Sequence, residues 1–317
     1  MITEKCFYDL PNVIESQQFT RLWLEREFFP LARQMKLLAA NGGSELLRGK
    51  TMLTVFYESS TRTRFSFELA MTHLGGRFSH TENARDFSSA AKGETLADTI
   101  RVLCGYLPDV IVLRHYEEGS AGLAVQYSTV PIINAGDGKG QHPTQALLDI
   151  FTIQEKLGRL DNLSVAGVGD LSNGRTVRSL AYLLTKFKGQ RLYLVSPDCA
   201  RMGGKMVEYL HERGVEVIET NDLREVAAHV DVLYATRIQT ERGSSFDAAD
   251  HSLGHFVVDR GILERMRPEA IIMHPLPRVN EITPEVDMDR RAAYFEQAAN
   301  GLPTRMALLK MILAPRC

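Results

Sequence analysis

The stretch Thr51-Met-Leu-Thr-Val-Phe-Tyr-Glu-Ser-Ser-Thr-Arg-Thr-Arg-Phe-Ser-Phe-Glu-Leu-Ala70 decides how this chain is read. Met52, Leu53, Val55, Phe56 and Tyr57 make a short apolar run, the pattern of a buried strand. After Glu58 come the small or basic polar residues Ser60-Thr-Arg-Thr-Arg64. Phe65, Phe67, Leu69, Ala70, Met71 and Leu74 then recur at helical spacing, and Gly75-Gly76 stop the pattern. So a strand ends, hydroxyls sit where N-caps belong, and a helix starts. A helix N-terminus offers N–H groups without intrahelical partners and a partial positive charge. Adding hydroxyl and guanidinium donors predicts a phosphate cradle. The ordinary alternative is a capped helix with two exposed arginines.

Outward from this stretch the chain alternates strands and helices. Ser16 to Ala40 reads as an amphipathic helix, with Pro30 implying a kink or break. Gly76 to His80 is a second strand, and residues 82 to 94 are small, polar and non-periodic, which predicts a loop. Glu94 to Leu107 reads as a helix, and Val110 to Leu113 as a strand delivering Arg114-His115. Val130 to Asn134 is the next strand, followed by a glycine-rich loop and a helix opening at Pro143. The same grammar restarts with the strand Leu163 to Val168, the turn Gly169 to Arg175 and the helix Thr176 to Phe187. Leu192 to Val195, Val215 to Ile218, Val232 to Ala235, Phe256 to Val258 and Ala270 to Met273 are further strands. Ala292 to Leu313 is helical, split by Gly301 and Pro303. This alternation predicts an α/β protein of two doubly wound parallel sheets, with ligands in the cleft beyond the strand ends.

Composition bounds the function classes. The 317 residues carry a net charge of −2, so no global basic field argues for nucleic acid or a membrane surface. Cys6, Cys104, Cys199 and Cys317 are scattered, which argues against a zinc site or a disulfide framework and suits a reducing, cytoplasmic setting. Residues 1–6 lack the features of a signal peptide, and no apolar run is long enough to span a bilayer.

The chemistry gathers at strand ends: Ser60-Thr-Arg-Thr63, Arg114-His115, Gln141-His-Pro-Thr-Gln145, Thr236-Arg-Ile-Gln239 and His274-Pro-Leu-Pro-Arg278. Taken singly, each has an ordinary explanation: a surface charge, a helix cap, an ion pair or a shaped turn. Gly167-Val-Gly169 resembles part of a dinucleotide fingerprint, but Ser172 stands where the last glycine belongs. Several arginines at strand ends suggest a small, multiply anionic ligand set, a phosphate and carboxylates held by guanidinium groups. No metal or cofactor is expected.

Ser60-Thr-Arg-Thr-Arg64, Gln141-His-Pro-Thr-Gln145 and His274-Pro-Leu-Pro277 together resemble the motif set of the transcarbamylases, in order and spacing, over nearly the whole chain. Gly169-Asp-Leu-x-x-Gly-Arg175, Thr236-Arg-Ile-Gln239 and Pro275 resemble the aspartate branch rather than the ornithine branch, and residues 82–92 are nearest its plant-type members. The resemblance implies carbamoyl transfer from carbamoyl phosphate to the amino group of L-aspartate, in de novo pyrimidine biosynthesis. It implies a carbamoyl-phosphate-binding domain of residues 1–142 plus 300–317 and an aspartate-binding domain of residues 143–299, with the active site in the interdomain cleft. By resemblance Ser60, Thr61, Arg62 and Thr63 hold the phosphate and part of the carbonyl. Arg114 bridges phosphate and carbonyl oxygen, His142 donates to that oxygen, and Gln145 orients the carbamoyl amide. Arg175 takes the α-carboxylate of aspartate, and Arg237 and Gln239 the β-carboxylate. Leu276 and Pro277 present carbonyls to the carbamoyl nitrogen and the attacking amine, and Glu58 steadies an arginine, with Arg175 the expected partner.

The resemblance also implies a homotrimer in which Ser88 and Lys92 enter a neighbour's site, and it suggests UMP as a competing nucleotide. Two stretches depart from the family: Gly243-Ser-Ser245, where a looser loop would raise the aspartate KM, and Ala248 to His255, whose role stays open. The alternatives are a transcarbamylase for another amino acid, and a catalytically silent anion-binding paralogue.

Overall fold

The computed structural model describes residues 10–237 and 256–314; Gln239 and the two departing stretches of residues 243–255 lie outside them. The chain divides into two compact domains, Met1–Leu147 with Asn300–Cys317, and Leu148–Ala299. The boundary falls within the helix Pro143–Leu157.

The first domain holds four parallel strands, β1 Thr51–Phe56, β2 Arg77–Thr81, β3 Val110–His115 and β4 Ile132–Asp137, in the order β2-β1-β3-β4. The chain leaves β1 towards β2 on one side, then crosses to β3 on the other. The direction of winding therefore reverses between β1 and β3, and that reversal opens a crevice at the carboxyl ends of the two strands. Val55, Ile100, Ile111, Leu113 and Ile132 form part of the core. The helix Gly301–Leu313 packs on the helices Thr61–His73 and Phe29–Ala40 of the same domain. It is buried nearly all round, and Arg305 lays its guanidinium 5.0 Å from the centre of the Phe67 ring.

The second domain repeats the plan with five parallel strands, β5 Ser164–Val168, β6 Arg191–Val195, β7 Glu216–Thr220, β8 Val232–Ala235 and β9 Ile271–Met273, ordered β7-β6-β5-β8-β9. Its reversal lies between β5 and β8. Ala166, Val168, Val195, Leu233, Ile272 and Tyr294 belong to one apolar core.

Two elements differ from the sequence expectations, while the N-terminal helix shows the break expected at Pro30. The N-terminal helix is interrupted: Leu24–Phe28 winds as a π-turn, closed by a bond from the Phe29 N–H to the Leu24 carbonyl, before the α-helix Phe29–Ala40. Pro30 explains this, because it has no N–H to give and its ring crowds the preceding turn; widening that turn by one residue accommodates it. Phe256 to Val258 forms no strand. Among the described residues Val258 makes only an isolated bridge with Ile282, although both ends of the segment are buried. A short apolar run reports burial, not a ladder partner. The predicted loop at residues 82–94 contains two short helical turns, Ala84–Phe87 and Ser89–Lys92.

Gly169, just after β5, has φ +114°, and a Cβ there would stand 2.4 Å from the Thr236 carbonyl oxygen. Gly122, inside the helix Ser120–Tyr127, meets nothing within 4 Å. Gly169→Ala is expected to cost at least ~1–3 kcal/mol from the backbone alone. Gly122→Ala is expected to add ~0.5–1 kcal/mol. Urea unfolding midpoints at unchanged m-value check both.

Candidate active site

Register builds the first domain's set. Phe56 of β1 lies beside Arg114 of β3, and the Tyr57 N–H continues the ladder to the Arg114 carbonyl at 2.8 Å. Four residues past Phe56, Ser60 occupies the N-cap of the helix Thr61–His73. Its side chain makes no capping bond, contrary to the simplest reading of a hydroxyl at that position. The first-turn N–H groups are therefore not taken up by it. Thr61 and Arg62 are exposed in that first turn, and Thr63 is buried.

The two arginines of this turn part company. Arg64 pairs with Glu82 at 3.1 Å and covers the Phe65 ring, while Arg62 stays exposed. Arg114 donates through Nη1 to the Ala135 carbonyl at 3.1 Å and lies 3.5 Å from Glu58 through Nη2. Glu58 thus has an arginine partner inside its own domain. His115, its neighbour in the sequence signal, belongs to the core. Its Nδ1 accepts from the Glu117 N–H at 3.0 Å, and burial pushes its pKa below the ordinary value, so it stays neutral.

At the end of β4, Asp137 staples the glycine-rich turn by accepting from Gln141 N–H at 2.6 Å and Gly119 N–H at 2.9 Å. Gln141 is itself structural, accepting from the Ser16 N–H at 2.8 Å. His142 is 4% exposed; its Nδ1 lies 3.4 Å from the Thr144 hydroxyl, and its carbonyl accepts from the Gln145 N–H at 3.0 Å. The turn therefore fixes His142 at the head of the helix Pro143–Leu157, with Gln145 within its first turn. Ser88 receives the Ala90 N–H as an N-cap, and Lys92 ends the next turn exposed to solvent.

The second domain supplies its own set at the β5–β8 reversal. Gly169 lets the backbone pass against Thr236, whose N–H and hydroxyl both donate to the Val168 carbonyl. Asp170, fully buried, gathers the following turn by accepting from Ser172, the Asn173 backbone and the Asn173 amide. That turn delivers Arg175, 7% exposed, as the first residue of the helix Arg175–Leu184. Arg237 follows Thr236 and is half-buried. After β9, Leu276 sits at φ +52°, a strained backbone for a residue other than glycine, and its bond to Pro277 is cis. Its N–H donates to His274 Nδ1 at 2.8 Å, which leaves His274 Nε2 as the proton-bearing nitrogen facing Glu281 at 2.8 Å. Arg278 ties the turn to Asp287 and the Tyr294 hydroxyl. Among the described residues no group of three or more His, Cys, Asp or Glu could hold a metal ion, and no helix is long and apolar enough to cross a membrane.

Two adjoining family profiles match, "Aspartate/ornithine carbamoyltransferase, carbamoyl-P binding domain" over residues 12–155 and "Aspartate/ornithine carbamoyltransferase, Asp/Orn binding domain" over residues 161–312. The chain belongs to the aspartate/ornithine carbamoyltransferase family. Within that family it is 56% identical over 308 residues to the chloroplastic aspartate carbamoyltransferase of Arabidopsis thaliana, covering 96% of this chain and 78% of that one. It is 49% identical to the aspartate carbamoyltransferase catalytic subunit of Methanothrix thermoacetophila, covering 95% and 98% of the two chains. The structure of aspartate transcarbamoylase from Trypanosoma cruzi in complex with carbamoyl phosphate and aspartate matches with TM-score 0.89 at 40% identity, over 96% of this chain and 97% of that one.

Sequence reading missed the supports of the second domain's strand-end loops. Asp149, Tyr234, Glu281 and Gln297 carry bonds that hold its loops. One signal was present: Asp149 stands alone as an acid within the apolar run Ala146 to Ile153.

Burial pushes the Glu281 carboxyl up, but the bonds from His274 and nearby N–H groups outweigh it, so its pKa falls below the ordinary value. The native state is then fully stabilised above the unfolded value of about 4.3 and loses that stability as pH falls through the lower folded value. Glu281→Gln is expected to lower neutral-pH stability by about 1.5–3 kcal/mol. It is also expected to flatten the acid limb of Tm against pH, as thermal melts across that range will show.

Proposed function

We infer that this chain transfers the carbamoyl group of carbamoyl phosphate to the amino group of L-aspartate, giving N-carbamoyl-L-aspartate and phosphate. The observation that carries the reading is the pairing, at the β1–β3 reversal, of a first helical turn uncapped by its own Ser60 with Arg114 held by Glu58 and Ala135. A phosphate fits such a set of N–H and guanidinium donors. The relatives' match over 95–96% of the chain supports the same reaction.

In this proposal residues 1–142 plus 300–317 bind carbamoyl phosphate and residues 143–299 bind aspartate. Ser60, Thr61, Arg62 and Thr63 hold the phosphate. Arg114 and His142 donate to the carbonyl oxygen as the amine adds and negative charge builds there. Gln145 orients the carbamoyl amide. Arg175 binds the α-carboxylate; Arg237, with Gln239, binds the β-carboxylate. The carbonyls of Leu276 and Pro277 accept from the –NH₂ groups, which suits an uncharged amine. The C–N bond forms, the C–O bond to phosphate breaks, and the departing phosphate takes the amine proton.

The proposal extends to a homotrimer. Phe65 and Leu69, four residues apart on one helix face, are about half exposed, as an interface in an assembly would use them. Exposed Lys92, with Ser88 before it, would reach a neighbour's phosphate. UMP competing with carbamoyl phosphate, a place in pyrimidine biosynthesis and a reducing, cytoplasmic setting belong to the same proposal.

Direct assay of ureido product from carbamoyl phosphate and a panel of amino acids tests the reaction: aspartate is expected to be preferred, and no product with aspartate would sink the reading. His142→Ala is expected to cut kcat by about 10²–10³. Arg62→Ala mixed with Lys92→Ala, under proven subunit exchange, is expected to regain activity through hybrid sites; no recovery counts against the shared site.

A further inference from the structure

Three buried side chains of the second domain, Tyr234, Asp149 and Gln297, join the backbone of buried His274 in one polar chain. The Tyr234 hydroxyl donates to Asp149 Oδ2 at 2.8 Å, and Gln297 Nε2 donates to Asp149 Oδ1 at 2.6 Å. The other end of the Gln297 amide, Oε1, accepts from the His274 backbone N–H at 2.8 Å. His274 in turn receives the Leu276 N–H and faces Glu281. The polarity of the chain is set at each link. The His274 N–H can only donate, so Gln297 must present oxygen to it and its –NH₂ to Asp149, which must then accept. Asp149 is fully buried in the middle of an apolar helical run, a costly place for a carboxyl group whose only task were to fill space.

We propose that Asp149 and Gln297 are positioning residues for carbamoyl transfer: they fix the backbone of His274, and through it the strained Leu276 carbonyl that meets the reacting –NH₂ groups. This rests on the reaction proposed above. Neither residue touches a reacting atom. What the proposal requires of them is donor–acceptor order, not shape.

Gln297→Glu keeps the shape and breaks the order. A carboxylate there faces Asp149 without a proton between them. When protonated, it donates to Asp149 and still accepts from His274. Relative to wild type at each pH, kcat is expected to fall by about tenfold at alkaline pH and to recover towards acid pH, with KM for carbamoyl phosphate unchanged. Asp149→Asn combined with Gln297→Glu restores a matched order. An amide at position 149 donates to the carboxylate at position 297, which reverses that one link and keeps the His274 bond. The double variant is expected to return kcat to within about threefold of wild type and to abolish the new pH dependence. A folded double variant no better than Gln297→Glu overturns the proposal, as does a wild-type pH profile for Gln297→Glu. If Gln297→Glu does not fold, the double variant decides alone on the same threefold limit. If neither folds, Tyr234→Phe, which removes one donor to Asp149, decides: a fall in kcat of about twofold or more at unchanged Tm supports the proposal, and unchanged kcat overturns it. Wild type assayed alongside keeps the two readings apart. No ureido product from wild type overturns carbamoyl transfer itself; wild-type turnover with indifferent variants overturns only the positioning role.

Discussion

The bond from the Tyr57 N–H to the Arg114 carbonyl extends the β1–β3 ladder one step past its last paired residues, and the polar set at the first domain's strand ends is laid out from there. Parallel strands in register end at one edge of their sheet. Where winding reverses, the chains leaving those ends diverge, and the space between them is not filled by a crossover helix. A guanidinium from β3 and a helix N-terminus following β1 are thereby brought to one edge by backbone pairing alone. Nothing in their side chains has to find the other.

The second domain meets the same constraint and adds a tighter one. Its two reversal strands carry loops that lie against each other where Gly169 passes Thr236, at a separation that leaves no room for a β-carbon. Asp170 then accepts three bonds from the turn that presents Arg175. Burying the Asp170 carboxylate is costly, and the three bonds it accepts offset that cost locally. Where such compensation is dense, loops keep one geometry instead of sampling several.

Much of this was legible in the sequence because apolar runs of strand length alternated with helical periodicity, and because unusual polar sets followed the runs. The two sheets, the turn at Ser60 and the loop at Gly169 followed from those signals. Other features left no local trace. Phe256 to Val258 is apolar, with both ends buried like a strand, yet among the described residues its ladder contact is one bridge, since burial does not specify a hydrogen-bonding neighbour. Arg62 and Arg64 are indistinguishable as letters; Glu82, in a different element, claims one of them. His115 belongs to the same strand-end polar set as Arg114, and the alternation of β3 sends one inward and the other to the edge. Gln297 is far from Asp149 in sequence, and a long-range polar pair has no periodicity to betray it.

The Glu58–Arg114 pair also bears on how quickly such a protein lets go. The phosphate group arrives as part of one substrate and departs as a product, so every kilocalorie that captures it also delays its exit. An arginine with no counter-charge would grip the dianion hardest at the moment it has to leave. If Arg114 meets the phosphate as proposed, sharing its charge with a carboxylate 3.5 Å away would moderate that grip, and the glutamate that steadies the arginine would also set a ceiling on residence time.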